Sequence, residues 1–427
     1  MSRRNRLGRA VTRTPLLAGL PSEVAVLTAI AFCVALGFGI LLPSLPIFAS
    51  NFDVSALEAS SVISVFALVR FITSPLAGTL VDRLGERTVL ATGLFIVAIS
   101  SAAAGFSQNL PQLLVLRGAG GLGSSMFTVS AMALLLRVVD SSQRGRAAGA
   151  FQGGFLLGGV AGPAVGGLVV AWSIRAPFFV YAVTVGAAGV VALTMLTKAK
   201  LRDRENAVAG DESGKLEQLR VALKDRAYQA ALGANLVTGM IVFGFRSSVV
   251  PLFVVEGLDR GASISGIGFL VAAAVQAVML LPAGRMADTQ GRRKALLYGS
   301  IATAISMIVL TAADAATNGL GTAALAGTVI FLISMVIQGF GGAFMGSAPS
   351  AVVGDIMGGR KGGIVVATYQ MMSDFGAIVG PLMAGLIVDL YDFNWAFAAG
   401  AAIALIPIFL VIRMPETLQP SKDLPAS

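Results

Sequence analysis

Apolar residues in this chain fall in long unbroken stretches, without the alternation of a half-buried strand or the narrow stripe of a soluble amphipathic helix. Twelve such runs can be marked, at 24–48, 56–81, 88–107, 111–136, 147–171, 177–197, 229–256, 262–286, 295–315, 323–353, 362–389 and 393–413. A helix needs about 20 apolar residues to cross the hydrocarbon core of a bilayer, and each run supplies them. The tenth is unusually long and is expected to break or tilt near Ser347-Ala-Pro349-Ser350. The stretch 198–228 is the long polar interval, a mixture of Gly, Ser and charges that predicts a flexible, partly helical linker. The expected organisation is an all-α membrane protein of twelve transmembrane helices in two six-helix bundles. Residues 1–23 form an N-terminal segment, 24–197 the first bundle, 198–228 the linker, 229–413 the second bundle and 414–427 a tail.

Composition sharpens this picture. Hydrophobic residues are 56% of the chain and charged residues 12%, with a mean hydropathy of +0.83, too little charge for a water-facing surface. The 51 glycines let helix backbones approach closely where no hydrophobic force drives association, which predicts a packed bundle. There is no histidine and one cysteine, Cys33. Histidine-dependent hydrolase triads are therefore excluded, His/Cys metal sites are not expected, and no cofactor is implied. No Gly-x-x-x-x-Gly-Lys-Ser/Thr loop occurs, so ATP hydrolysis by this chain is not expected either. The composition thus points away from an enzyme.

The net charge of +9 is a matter of placement. Of 31 Lys and Arg, 26 lie at the termini, in the linker and in alternate loops on one side, while Arg175 and Arg260 fall on the other. This bias is the positive-inside pattern. It predicts a multi-pass protein of the plasma (inner) membrane with both termini cytoplasmic. It calls for lipid rather than nucleic acid, and no obligate protein partner is evident.

One short charged loop occurs twice. Gly78-Thr-Leu-Val-Asp82-Arg83-Leu-Gly85-Glu-Arg87 returns nearly half the chain later as Gly284-Arg-Met-Ala-Asp288-Thr-Gln-Gly291-Arg-Arg293, each time between two apolar runs. The chain is thus two similar halves. Two further patterns accompany it. Arg117-Gly-Ala-Gly120-Gly-Leu-Gly123 lies in the fourth run, and Gly158-Gly-Val-Ala-Gly162-Pro163-Ala-Val-Gly166-Gly167 lies in the fifth. The eleventh run carries a partial echo of the latter, Gly376-Ala-Ile-Val-Gly380-Pro381-Leu-Met-Ala-Gly385.

Together these residues resemble the major facilitator superfamily, the usual example of parallel membrane repeats, over essentially the whole chain. The fifth-run pattern is similar to that of its proton-coupled drug exporters. The resemblance implies a secondary transporter that moves a small-molecule substrate by alternating access. Export of amphipathic drugs or metabolites against protons leads; uptake of an organic anion is the alternative, and a non-transporting sensor a remote one. It implies that Arg117 takes part in proton coupling and that the loops latch the halves.

Physical chemistry attaches roles to residues. Gly85 and Gly291 allow sharp turns. Asp82 can cap a helix of the opposite half, helix 11 opening at Gly362-Gly363 being the expected partner, with Arg83 and Arg87 pairing to nearby acids; a solvated turn that sets topology is the plainer reading. Gly158, Gly162, Gly166 and Gly167 form a smooth groove bent by Pro163, able to seal the bundle or simply to pack. Asp374, deep in the eleventh run, is the candidate proton carrier; a structural ion pair with a buried arginine is the alternative. Arg70, Arg246, Gln152, Gln276, Gln338 and Gln370 are candidate cavity donors, and Phe38, Phe66, Phe245, Met371 and Met372 candidate apolar lining. The first run carries no acid, unlike many such exporters. Three buried arginines against one deep aspartate favour neutral or anionic substrates.

Overall fold

The computed structural model describes residues 20–139, 143–196, 212–319, 323–357 and 363–418. Expectations for 1–19, for 197–211 of the linker and for 419–427 lie outside the described residues. Among the described residues, twelve helices are long and apolar enough to span a membrane. They are α1 (Ser22–Ser50), α2 (Ala56–Leu84), α3 (Glu86–Ala104), α4 (Leu110–Val138), α5 (Arg144–Trp172), α6 (Ala176–Met195), α7 (Arg226–Gly257), α8 (Ala262–Thr289), α9 (Arg292–Gly319), α10 (Ala323–Met357), α11 (Gly363–Leu390) and α12 (Phe393–Arg413). A further helix, Glu212–Lys224, lies within the linker.

Local chemistry sets several of their ends. Ser55 opens α2 with a capping box: its Oγ accepts from Glu58 N at 3.3 Å, and its own N–H donates to Glu58 Oε2 at 2.9 Å. Asn109 and Asp392 cap α4 and α12 by accepting from Gln112 N at 3.0 Å and Trp395 N at 2.8 Å. The first run is not one regular helix. It turns at Leu42-Pro43 between Ser22–Leu41 and Ser44–Ser50, where prolines 43 and 46 remove backbone donors. The tenth does the opposite of the expected break: α10 stays helical through Pro349, with Ser347 Oγ bonding back to Ala343 O at 3.2 Å. Helix α7 widens into π-type turns over Met240–Val249 and Phe253–Gly257. There Ser247 Oγ donates to Val242 O, five residues back, at 2.6 Å.

The core divides as the repeat predicts. One cluster joins Leu27, Leu94, Phe127 and Tyr181 in the first six helices. Two others, around Tyr228 and Phe344 and around Phe245, Phe331 and Phe397, fill the last six. Large apolar side chains such as Ile99, Val183, Leu281 and Ile333 face outward, as helices bathed in lipid must. The halves meet chiefly where α2 packs on α11 and α5 on α8. The loops flanked by the termini hold most of the arginines and lysines and form the basic end; the opposite end carries Asp53, Glu58, Asp259, Asp389 and Asp392 and is the acidic end.

Candidate substrate pathway and the contacts between the halves

Contacts between α2 and α11 run from the acidic end to mid-depth. Asp389 at the end of α11 accepts from the first backbone amides of α2, Ala56 N at 2.8 Å and Leu57 N at 2.9 Å. A carboxylate here meets both unsatisfied donors and the positive end of the helix dipole. The approach needs Gly385: a methyl group there would lie 2.6 Å from Ala56 O and 2.7 Å from Leu57 Cα. Further in, Ser64 Oγ donates to Ile378 O at 2.8 Å. At mid-depth Arg70 Nη2 pairs with Asp374 Oδ1 at 2.8 Å, the two side chains being 34% and 28% exposed. Asp374 therefore has Arg70, not Arg117, as its ion-pair partner, because α2 and α11 face each other along their length.

Sequence reasoning missed Asp389. The signal was available: Gly385-Leu-Ile-Val-Asp389 is a third Gly-x-x-x-Asp, alongside Gly78-Thr-Leu-Val-Asp82 and Gly284-Arg-Met-Ala-Asp288. It carries no arginine or second glycine, which hid the kinship.

The glycines of α5 split their work. Those at positions 154, 158, 162 and 166 face α1 at a spacing of four; a methyl at Gly162 would sit 2.6 Å from Leu36 O and 2.7 Å from Gly39 Cα, and one at Gly166 2.8 Å from Ile40 O. Pro163 is buried against Gly39. Gly167 instead crosses to the other half, where the backbone of Gly266 in α8 lies 2.7 Å from the place its Cβ would take. The partial echo in α11 behaves alike: Gly376 and Gly380 abut α7, and Gly385 crosses to α2.

Toward the basic end α2, α5 and α8 have open space beside their glycines. Around Gly78, Gly149, Gly153 and Gly284 nothing among the described residues, beyond the helix's own backbone, comes within 4 Å of a would-be Cβ. Gln152 and Gln370, in the basic halves of α5 and α11, are exposed, as is Met371. The contacts between the halves thus run from the acidic end to mid-depth, and these glycines and glutamines toward the basic end face open space.

At mid-depth an aromatic group joins them. Phe38 of α1 stacks on Phe66 of α2 (centroids 5.4 Å) and approaches Tyr181 of α6 (6.1 Å) and Phe243 of α7 (6.4 Å). Arg117 lies over the other contact of this group, its guanidinium 4.4 Å from the Phe66 centroid. It is 1% exposed, and its Nε and Nη2 have no hydrogen-bond partner among the described residues. Arg246, in the widened part of α7, sits 5.4 Å over Phe269. Two expected cavity residues are placed elsewhere. Gln338 is 2% exposed and accepts from Ser306 between α9 and α10, and Phe245 is fully buried against Gly400 in the core of the second half. Polarity or aromaticity on an apolar helix marks an interior face, but that face can belong to a neighbouring helix as well as to a cavity. Gln276 is partly exposed and donates to Gly342 O at 3.3 Å.

The two repeated loops turn as expected, with φ of 83° at Gly85 and 115° at Gly291. Their charges differ in engagement. In the first copy Asp82 and Arg83 are exposed and make no hydrogen bond among the described residues, and Arg87 donates to Leu193 O. The expected partner of Asp82 includes Gly362, which lies outside the described residues. In the second, Arg292 bonds to Asp288 and, at 3.1 Å, to Asp355. Arg293 donates to Ile412 O at 2.6 Å. Glu416 accepts from the amides of Arg292 (2.8 Å) and Arg293 (3.1 Å), capping α9. Glu416 was invisible as a partner because it lies beyond the last apolar run.

With this geometry in view, the comparisons with known proteins agree. The family model of the Major Facilitator Superfamily matches residues 27–274 and 236–426. The chain belongs to that superfamily and is a multi-pass membrane transporter of small molecules, not an enzyme. It is 24% identical over 408 residues to the quinolone resistance protein NorA of Staphylococcus aureus strain MRSA252, covering 94% of this chain and 99% of the relative. To the multidrug resistance protein MdtG of Proteus mirabilis strain HI4320 it is 26% identical over 401 residues, covering 90% and 94%. Among solved structures, the nucleoside transporter NupG (D323A mutant) superposes with a TM-score of 0.65 at 16% identity, covering 91% of this chain and 99% of that one. A bacterial homologue of the human lysosomal transporter Spinster, in an inward-facing and occupied conformation, gives 0.67 at 15%, covering 91% and 95%. These two likenesses speak to the fold.

Proposed function

We propose that this chain exports small amphipathic molecules, drugs or metabolites, across the plasma membrane in exchange for protons. The basic end faces the cytoplasm, as the charge bias favours, so the arrangement described above is the inward-open state. The observation that carries the coupling is the Arg70–Asp374 pair at mid-depth between the halves. While Asp374 is ionised the pair ties α2 to α11. Protonation removes the charge that holds Arg70 and frees the helices to part. A proton entering from the acidic side in one state and leaving to the basic side in the other would drive substrate the opposite way. In that second state Gly78 and Asp82 receive the N-terminus of α11, as Gly385 and Asp389 receive that of α2 here. Arg117, close under the aromatic group, tunes the local field, and the ring surfaces of Phe38, Phe66, Tyr181 and Phe243 offer an apolar seat. The drug-resistance relatives support export.

The test is transport in proteoliposomes under an imposed pH gradient, with neutral, cationic and anionic amphipathic compounds. Proton flux opposite to substrate flux is expected, together with loss of the pH-driven component in Asp374→Asn. Co-directional flux, or full pH-driven export by that variant, would overturn the reading. One observation favours a second reading, uptake of an organic anion: Arg70, Arg117 and Arg246 outnumber Asp374 in the membrane interior. Anion accumulation with protons in the same assay would select it.

A further inference from the structure

Outside the pathway, a cavity of about 240 Å³ opens at the basic end between the start of α7 and the end of α12, lined by Arg226, Gln229, Leu410 and Arg413. Two guanidiniums share it. Arg226 and Arg413 are both exposed, and neither pairs with a carboxylate among the described residues. The nearest acid in sequence, Asp225, spends its carboxylate on capping α7, accepting from Ala227 N at 2.7 Å. Two like charges facing one cavity repel unless an anion lies between them.

The surroundings say which anion. Arg226 and Arg413 end two spanning helices, so the cavity stands at the level where lipid headgroups lie. Arg413 is held over the face of Phe409, 3.9 Å from its centroid. Below it, Leu405, Phe409 and Ile412 are 54%, 55% and 56% exposed and fall on one face of α12. Leu223, whose carbonyl accepts from Gln229 Nε2 at 2.8 Å, adds exposed apolar surface beside the cavity. A charged seat continuous with an apolar stripe fits a molecule with a phosphate head and acyl tails.

We infer that the α7–α12 cavity binds the headgroup of an anionic phospholipid, its phosphate between Arg226 and Arg413 and its chains along Leu405, Phe409 and Ile412. Guanidiniums suit the role because their forked donors match phosphate oxygens in pairs. The site is independent of the substrate pathway and of the coupling reading.

The test uses the full chain purified in a mild detergent, with native mass spectrometry and thermal unfolding. The probes are phosphatidylglycerol, phosphatidylcholine and inorganic phosphate. Phosphatidylglycerol should be retained and should raise the melting temperature; phosphatidylcholine should not. Arg226→Gln/Arg413→Gln should weaken phosphatidylglycerol retention roughly tenfold or more. Removing equal charge from the same end, in Arg285→Gln/Lys294→Gln, should leave it within about twofold. Arg226→Lys/Arg413→Lys keeps the charge and should recover most of the binding. If the glutamine pair is poorly folded, phosphatidylglycerol titration of the lysine pair and of each single glutamine variant gives the same ranking. Equal retention in the glutamine pair and the control pair would overturn the site. Equal stabilisation by inorganic phosphate alone would overturn its assignment to lipid.

Discussion

The two copies of the repeated loop share a sequence frame and differ in what they hold. The second engages its own half: Arg292 lies between Asp288 and Asp355, and Glu416 caps α9 while Arg293 reaches the end of α12. The first leaves Asp82 and Arg83 exposed. A staple must be satisfied in every state of the molecule, whereas a latch between moving halves must be unsatisfied in at least one. The same Gly-x-x-x-Asp frame at Gly385–Asp389 is engaged across the halves, on the first amides of α2, the arrangement that the proposed cycle assigns to Gly78–Asp82 in its other state. One local pattern thus meets three different surroundings.

The largest effect expected from this contrast is on stability. In Gly291→Ala a β-carbon would meet Glu416 at a backbone with φ of 115°, 2.7 Å from its Cδ. It should cost about 3 kcal/mol and several degrees in a detergent melting curve. Gly85→Ala has the strain without the collision and should cost less, about 1–2 kcal/mol; equal losses would erase the distinction. Next, Glu416→Gln should lower stability by about 2 kcal/mol, the loss of charge-assisted bonds to two amides, yet leave the turnover of folded protein unchanged. Slowed turnover at unchanged melting temperature would make the second copy a latch as well. Asp82→Asn should show the reverse: transport slowed about tenfold, or about 1.4 kcal/mol on the barrier, with melting temperature and substrate affinity intact. Unaltered transport would leave the first loop a solvated turn. The smallest effect is at the acidic end. Asp389→Asn removes the charge at the N-terminus of α2 and one of two amide acceptors, a loss of about 1 kcal/mol, and should shift the population of the closed state about fivefold. Spin-label distances between Asn51 and Tyr391 would register this as a broader, longer distribution; an unchanged distribution would show that Gly385 and Gly167 hold that end alone.

The spans, their division into halves and the two positive-φ glycines were legible in the sequence, because hydrophobic length and backbone sterics are local properties. The pairing of Arg70 with Asp374 was not, since the two residues lie in different halves and only the register of α2 against α11 brings them together. Arg117 carried the more recognisable pattern, but its guanidinium packs on Phe66 and has no acid partner among the described residues. Gln338 failed for a related reason: a polar side chain on an all-apolar helix announces a neighbour, and here the neighbour is Ser306 rather than a cavity. The widened turns of α7 had no sequence signal beyond Pro251 and the paired serines 247 and 248.

The contact of Gly167 with Gly266 has a mechanical meaning. Two bare backbones touching there make a bearing surface: nothing projects from either helix, no side chain has to change its rotamer as they roll, and few directional bonds must break. Such a surface can shut out ions while closed and still give way quickly, so the seal and the pivot of the transporter can be the same few atoms.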